Sequence, residues 1–245
     1  NNSTSFLNQK LNITNKNLFF KCSGINLFYE YKNQYLNFLN FDNKKITPIH
    51  IFENKKYKNF LLQKIKKKTN IKLINQSIEN IDYNTTKINY GKHKKSYDMI
   101  VICAGKYSKI NNILQNNRAI KKDYKEIAIT GTVKHNLKIT KASQHFLKEG
   151  PFAILPFKKD GFSFVWTLKN NFFQKNSNII NNILLDKFLK IFKKKINNEN
   201  LKFQSYPISL SLKKKYSIKN ILLFGDAIHS VHPIAGQGFN LTLRD

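Results

Sequence analysis

Two short apolar runs, Met99-Ile100-Val101-Ile102-Cys103 and Ile221-Leu222-Leu223-Phe224, each stop at a glycine turn. No other feature restricts the fold of this chain as much. A run that is apolar at every position suits a parallel strand buried on both faces, and a glycine at its carboxyl end lets the backbone turn away sharply. The first run ends in Ala104-Gly105 and the second in Gly225-Asp226, after which Gly236-Gln237-Gly238 opens a helix. Strand, glycine turn and helix at two distant places predict an α/β domain that binds ligands at the carboxyl ends of its strands.

Between the two runs the style changes. Residues 127–133, 152–157 and 162–168 favour aromatic and β-branched side chains, with a turn at Lys159-Asp160-Gly161, and predict a mainly antiparallel sheet. Residues 179–196 predict one helix with Ile180, Leu184, Phe188, Ile191 and Phe192 on its buried side. Nearer the start, residues 25–41 predict two strands, 54–68 a helix with Tyr57, Phe60, Leu61 and Ile65 inward, and 71–74 a strand, with weaker strands at 77–81 and 86–90. The fold class is therefore α/β: a Rossmann-like domain of residues 1–116 and 206–245, interrupted by a mainly antiparallel β-sheet domain of residues 117–205, to which residues 25–48 can add strands. The chain opens on Asn1, and residues 241–245 stop inside a helical pattern with no cap. The Rossmann-like domain thus reads as truncated at both ends.

The chain's 245 residues carry 43 basic and 14 acidic side chains, a formal net charge of +29. So large an imbalance raises nucleic acid or an anionic membrane as a partner. Arg118 and Arg244 are the only arginines, however, and the lysines come with a great excess of Asn, Ile, Phe and Tyr. A nucleic-acid reader depends on the planar fork of arginine, so the charge reads as a solvated lysine surface and no nucleic-acid partner is expected. The lysine-rich stretches 64–68 and 193–195 fall at helix ends, where cations suit the dipole. Cys22 and Cys103 cannot build a disulfide framework; Cys103, inside its apolar run, is expected to be a buried thiol, and the compartment reads as reducing. No run of about 18 apolar residues and no signal peptide is found, which gives a cytoplasmic expectation.

The segment from Gly225 to Asn240, Gly-Asp-Ala-Ile-His-Ser-Val-His-Pro-Ile-Ala-Gly-Gln-Gly-Phe-Asn, concentrates the chemistry. A buried strand delivers the carboxylate of Asp226 to a sheet edge, and the glycines at a helix start let a flat ligand approach backbone amides that favour negative charge. Taken singly, Gly225-Asp226 is a turn and Gly236-Gln237-Gly238 an ordinary helix start. His229 and His232 stand three apart with no Cys or Glu nearby, so no metal site is expected. Phe152, Phe157, Phe162, Phe164 and Trp166 read first as core and second as a stacking surface.

Taken together, this segment resembles the second flavin-binding motif of the FAD-dependent aromatic-ring hydroxylases. The string from His232 to Asp245, His-Pro-Ile-Ala-Gly-Gln-Gly-Phe-Asn-Leu-Thr-Leu-Arg-Asp, is similar to the ubiquinone-biosynthesis monooxygenases of that class. Glu149-Gly150-Pro151-Phe152-Ala153-Ile154-Leu155-Pro156-Phe157, Val165-Trp166-Thr167 and Tyr206-Pro207-Ile208-Ser209-Leu210 resemble further stretches of the family, as do residues 97–108. The resemblance implies an FAD/NAD(P)-binding outer domain, an inserted sheet that faces the substrate, and FAD and NAD(P)H as cofactors. It implies that Gly225, Asp226, Pro233, Ala235, Gly236, Gln237, Gly238, Phe239 and Asn240 bind the cofactor. Asp226 would accept a hydrogen bond from the ribityl chain, Pro233 would lie beside the isoalloxazine, and the amides of 236–240 would face its pyrimidine end. No catalytic residue is assigned.

The reaction implied is hydroxylation of a polyprenylated aromatic ring with NAD(P)H and O2 in ubiquinone biosynthesis. The implied partners are that small-molecule substrate, other ubiquinone-biosynthesis proteins and, through the lysines, peripheral contact with the inner membrane face. Two alternatives remain: a related flavin oxidoreductase acting on another lipid or aromatic compound, and a basic protein of degenerate flavin fold that docks on membrane or nucleic acid. The nine glycines contain no Gly-x-Gly-x-x-Gly, so that first unit is expected upstream of Asn1 and this fragment alone is expected to be inactive. Ala104 stands where the family has Asp, and no arginine directly follows Ser108, which bears on how the reductant is met.

Overall fold

The alternation of residues 127–168 becomes sheet in the computed structural model, which describes residues 6–7, 9–10, 18–42, 49–110, 119–196, 201–233 and 236–245. Along the chain come β1 (Phe20–Cys22), β2 (Gly24–Tyr31), β3 (Gln34–Asp42), β4 (Ile49–Ile51) and helix α1 (Asn54–Lys66). The short strands β5 (Asn80–Asp82), β6 (Lys87–Tyr90) and β7 (His93–Ser96) precede β8 (Ile100–Ile102). Next are β9 (Ala119–Lys134), β10 (Ala142–Leu147), β11 (Gly150–Lys158), β12 (Gly161–Lys169), α2 (Asn170–Lys175) and α3 (Ile180–Phe192). Then follow β13 (Phe203–Lys213), β14 (Ser217–Ile218), β15 (Ile221–Leu223), a 3-10 turn at Gly225–Ala227, β16 (His229–Ser230) and α4 (Gln237–Thr242). The chain divides into two units, residues 1–67 with 125–207 and residues 68–124 with 208–245.

The first unit is built on strands in the order β9-β12-β11-β10-β2-β3. Neighbours are antiparallel except β10 and β2, which run parallel from Ala142 opposite Ile25 to Phe146 opposite Tyr29. That pairing draws residues 1–67 into this unit, whereas the sequence boundaries set 1–116 with the outer domain. On one sheet face Phe152 and Ile154 of β11 stand beside Phe162, Phe164 and Trp166 of β12, none more than 1% exposed. Helix α3 lays Leu184 and Phe188 on them, the Phe188 ring 5.4 Å from Phe162, 5.5 Å from Phe164 and 5.7 Å from Phe152. Four of the five candidate stacking aromatics are therefore core, each worth about 1.5–3 kcal/mol of burial. A glycine is required at Gly150, whose φ is +136° and where a Cβ would sit 2.1 Å from the Thr167 carbonyl.

Helix α3 stops at Phe192, short of residue 196, because Lys193 turns left-handed at φ 53°. It also buries a charge. Lys187 Nζ lies 3.0 Å from both Glu149 carboxylate oxygens and 3.7 Å from Glu30, so desolvation is offset by two acids. In α1 only Tyr57 is fully buried, with Phe60, Leu61 and Ile65 half-buried and Lys64 and Lys66 in the last turn.

In the second unit β8 and β15 pair in parallel, Ile100, Val101 and Ile102 opposite Ile221, Leu222 and Leu223, and β14 closes one side. Ile81, Ile100, Ile102, Ile221, Leu223, Ala227 and Ile228 form its core. The strand expected to be buried on both faces is buried on one: Ile100 and Ile102 point in, Val101 is 45% exposed and Met99 61% exposed. Cys103, expected to be buried, is exposed because the chain leaves the strand at Ile102. The strand expected at 71–74 is absent; among the described residues no neighbouring strand takes its backbone groups, and Ile71, Leu73 and Ile74 are exposed. The weaker strands expected nearby appear as β5 and β6, joined with β7 in an antiparallel meander.

Candidate functional site

The buried strand β15 places the Gly225–Ala227 turn. Leu223 packs below it and Ala227 and Ile228 anchor it from above, so Asp226 between them is left at the surface. Gly225 takes φ +61°, and a Cβ there would meet the Thr242 methyl of α4 at 3.1 Å. The packing of α4 on this turn is therefore a reason for glycine in itself. Among the described residues no hydrogen bond or ion pair engages the Asp226 carboxylate.

After β16 the chain passes His232, edge-on to Tyr124 at 5.3 Å, and the exposed Pro233. Ala235 lies outside the described residues. Gly236 precedes α4 with φ +62°, its N–H donating to the Pro233 carbonyl at 3.3 Å. Gln237, Gly238, Phe239 and Asn240 form the first turns of α4, with Phe239 40% exposed. The Asn240 side-chain amide donates back to the Gly236 carbonyl at 3.3 Å. At Gly236 and at Gly238 a Cβ would meet nothing within 4 Å. Backbone angle explains glycine at 236, but no contact among the described residues explains it at 238; a flat group lying against the backbone would.

Sequence reasoning missed the carboxylate that ties this segment together. Asp245 accepts the Gly225 N–H at 3.1 Å and stands 3.0 Å from His229 Nε2, so the chain just after α4 is fastened to the Gly225 turn that opens the segment. Asp245 is twenty residues from Gly225, and only the folded loop reveals the partnership. His229 is thereby given a structural partner, and no group of three or more His, Cys, Asp or Glu among the described residues could hold a metal. In the turn after β8, Gly105 takes φ +76°, Ala104 is exposed, and Lys106 donates to the Ser209 hydroxyl and, at 3.2 Å, to its carbonyl.

The profile of the family described as FAD binding domain matches residues 56–245. The chain belongs to that family. Its relatives include the ubiquinone hydroxylase UbiL of Rhodospirillum rubrum, 33% identical over 133 residues, a match that takes in 50% of this chain and 29% of that protein. The mitochondrial ubiquinone biosynthesis monooxygenase COQ6 of Dictyostelium discoideum is 26% identical over 255 residues, 80% of this chain and 51% of that protein. The 3-demethoxyubiquinol 3-hydroxylase of Escherichia coli is 31% identical over 103 residues, 42% of this chain and 26% of that protein. The chain thus spans about half the length of these relatives or less.

The fold is shared with PqsL, a probable FAD-dependent monooxygenase of Pseudomonas aeruginosa, at a TM-score of 0.81 and 15% identity over 98% of this chain and 71% of that one. The flavin-dependent brominase Bmp2 gives a TM-score of 0.75 at 12% identity, over 99% of this chain and 65% of that one. The donor set fits FAD in kind: Asp226 offers an unengaged acceptor at the surface, and the backbone at Gly236 and Gly238 is open. No helix among the described residues is long and apolar enough to cross a membrane.

Proposed function

We propose that this chain is part of an FAD-dependent monooxygenase that hydroxylates a polyprenylated aromatic ring with NAD(P)H and O2 in ubiquinone biosynthesis. The observation that carries the reading is Gly238, a helical glycine that no described neighbour within 4 Å requires, in a segment where a ligand's approach would require it. The ubiquinone-biosynthesis names of the relatives support the substrate class. In this reading Asp226 accepts a hydrogen bond from the ribityl chain, and Pro233 and Ala235 border the ring. Gly236 permits close approach, and the backbone N–H groups at the start of α4 donate to the pyrimidine edge, where negative charge gathers on reduction. Phe239 and Asn240 hold that first turn. When bound, the flavin supplies electron transfer from the nicotinamide and the activation of oxygen. The chain's part is to orient the ring and to keep water from it. The lysine surface is read as a peripheral contact with anionic lipid, and the remaining partners as other proteins of the same biosynthesis.

The test is made on the full natural polypeptide. It is expected to purify with FAD, to consume NAD(P)H and O2 with a polyprenylated phenol, and to place isotopically heavy oxygen from O2 in the product. Turnover without label in the product would move the protein to the flavin oxidoreductases that insert no oxygen. Gly238→Ala gives a sharper check, because alanine favours a helix over glycine by about 0.5–1 kcal/mol. The variant is expected to keep or gain thermal stability without cofactor and to lose FAD affinity. Unchanged affinity would refute the placement.

A further inference from the structure

The first unit holds a cavity of about 850 Å3 that the flavin segment does not touch. All its lining residues belong to β2, β3 and the turn between them, to residues 138–145, and to the end of α3. Asn26, Phe28, Ser143 and His145 alternate onto the same sheet face as Phe152, which is the face that α3 covers. The volume suits one small molecule.

The lining is unusual in charge and in satisfaction. Lys138, Lys141, Lys190 and Lys193 border the cavity, and no aspartate or glutamate does. Lys190 pairs with Asp186 at 3.0 Å, but both side chains are about half exposed and such a pair holds its lysine weakly. The carboxyl end of α3 adds about half a negative charge, less than the lysines supply. Three polar atoms of the wall, Asn26 Oδ1, Tyr35 Oη and His145 Nδ1, are buried with no hydrogen-bond partner among the described residues. Orphans of this kind cost about 1–3 kcal/mol each, and all three are closed off from the cavity, so the face a ligand meets is set by the lysines and the apolar side chains. His145 is 2% exposed, stacks on Phe28 at 4.6 Å and meets the Tyr35 ring edge-on at 5.5 Å, while Ile139, Ile191 and Phe192 complete an apolar lining.

We propose that this cavity binds a small organic anion with an aromatic body, an aryl carboxylate or aryl phosphate. The anionic head meets the lysines, and the ring lies among Phe28, Ile139 and Ile191. Lysine rather than arginine at the border offers point charges without a fork, which suits carboxylate and phosphate alike.

The test uses the full natural chain and isothermal calorimetry with 4-hydroxybenzoate, phenyl phosphate, inorganic phosphate and phenol, in low and high salt. One of the two ring anions is expected to bind at micromolar to millimolar concentration, and which one does so identifies the head group. Phenol and inorganic phosphate are expected to bind at least tenfold more weakly, at about 1.4 kcal/mol per decade. Lys190→Gln combined with Lys193→Gln, both at exposed positions, should weaken the ring anion about tenfold and flatten its salt dependence while leaving FAD content unchanged. If neither ring anion binds, if phenol binds as well as they do, or if the lysine variant binds like the wild type, the proposal is overturned. None of these results depends on turnover.

Discussion

Unit 1 fills its core with rings, whereas unit 2 fills its core with short aliphatic chains. In unit 1 the fully buried side chains include Trp166, Phe152, Phe162, Phe164 and Phe188, clamped between sheet and helix. The unit 2 core consists of isoleucines, one leucine and one alanine around the β8–β15 pair, and Met99 and Val101 stay in the open beside it. The difference is one of support. A helix on a mixed sheet closes one apolar face with a few large residues, while a parallel strand carries apolar residues on both faces and needs cover on both. The ring core of unit 1 has its cover, although Tyr29, Phe38 and Phe146 on the sheet's other face are about half exposed; unit 2, among the described residues, has cover on one side only.

The largest effect is expected where the ring core is opened. Phe188→Ala should cost about 4 kcal/mol, because three aromatic rings lose the side chain they pack against. The chain's single tryptophan lies in this core, so its fluorescence in a urea titration reports unit 1 alone. A cost under about 1 kcal/mol would mean that the sheet does not depend on its helix. Lys187→Met comes next, at about 3 kcal/mol, because it leaves Glu149 and Glu30 without their cation. Replacing Glu149 by Gln as well should recover part of the loss.

The third test is acid. Burial pushes His145 down to about 4 from its ordinary 6.5. As pH falls through that window the unfolded chain takes up a proton that the folded chain refuses, so stability declines; above about 6.5 neither state binds it and the residue contributes no pH dependence. The loss attributable to His145 between those limits is about 3 kcal/mol. Urea titrations at pH 7 and pH 4.5 are expected to diverge for the wild type and to diverge less for His145→Phe. An equal divergence would show that the imidazole reaches solvent.

How much of this was legible in the sequence follows from the range of the interactions. The β15 strand and its Gly225 turn announced themselves because an apolar run and a glycine are adjacent in the chain, and α3 because its inward residues repeat at the helical period. By contrast β10 passed unnoticed: Ala-Ser-Gln-His-Phe-Leu is polar in pattern, and only its neighbours β2 and β11 turn Ser143 and His145 inward. Glu30, Glu149 and Lys187 come from three separated segments, as do the walls of the cavity around Tyr35. The strand expected at 71–74 shows the reverse error, since apolar residues propose a strand but only a neighbour's backbone makes one. At the candidate site, Asp226 and the glycines could be named from their order, whereas Asp245 could not.

Gly225→Ala brings the comparison to the edge of unit 2. With φ at +61° and the Thr242 methyl at 3.1 Å, an added methyl strains the turn and presses on α4, an expected loss of about 1–2 kcal/mol by thermal denaturation. Wild-type stability would mean that α4 shifts freely, and the fastening by Asp245 would then be weak.

The smallest effect is expected at Val101, and it decides the comparison. Val101→Thr keeps the β-branched shape, so the strand itself is not disturbed, and the only change is a hydroxyl in place of a methyl on a side chain that is 45% exposed. If the outer face of β8 is open to water, the substitution should alter stability by less than about 0.5 kcal/mol. If that face is covered in the natural protein, the hydroxyl is buried without a partner and the cost should rise to about 1–3 kcal/mol, with no change in the fluorescence of Trp166 in the folded state. Measured on residues 1–245 and again on the full natural polypeptide, the pair of values separates the two cases. A small cost in both leaves unit 2 with one bare face. A cost that appears only in the longer chain identifies cover supplied by residues outside 1–245, and makes the support of the parallel pair as complete as that of the ring core.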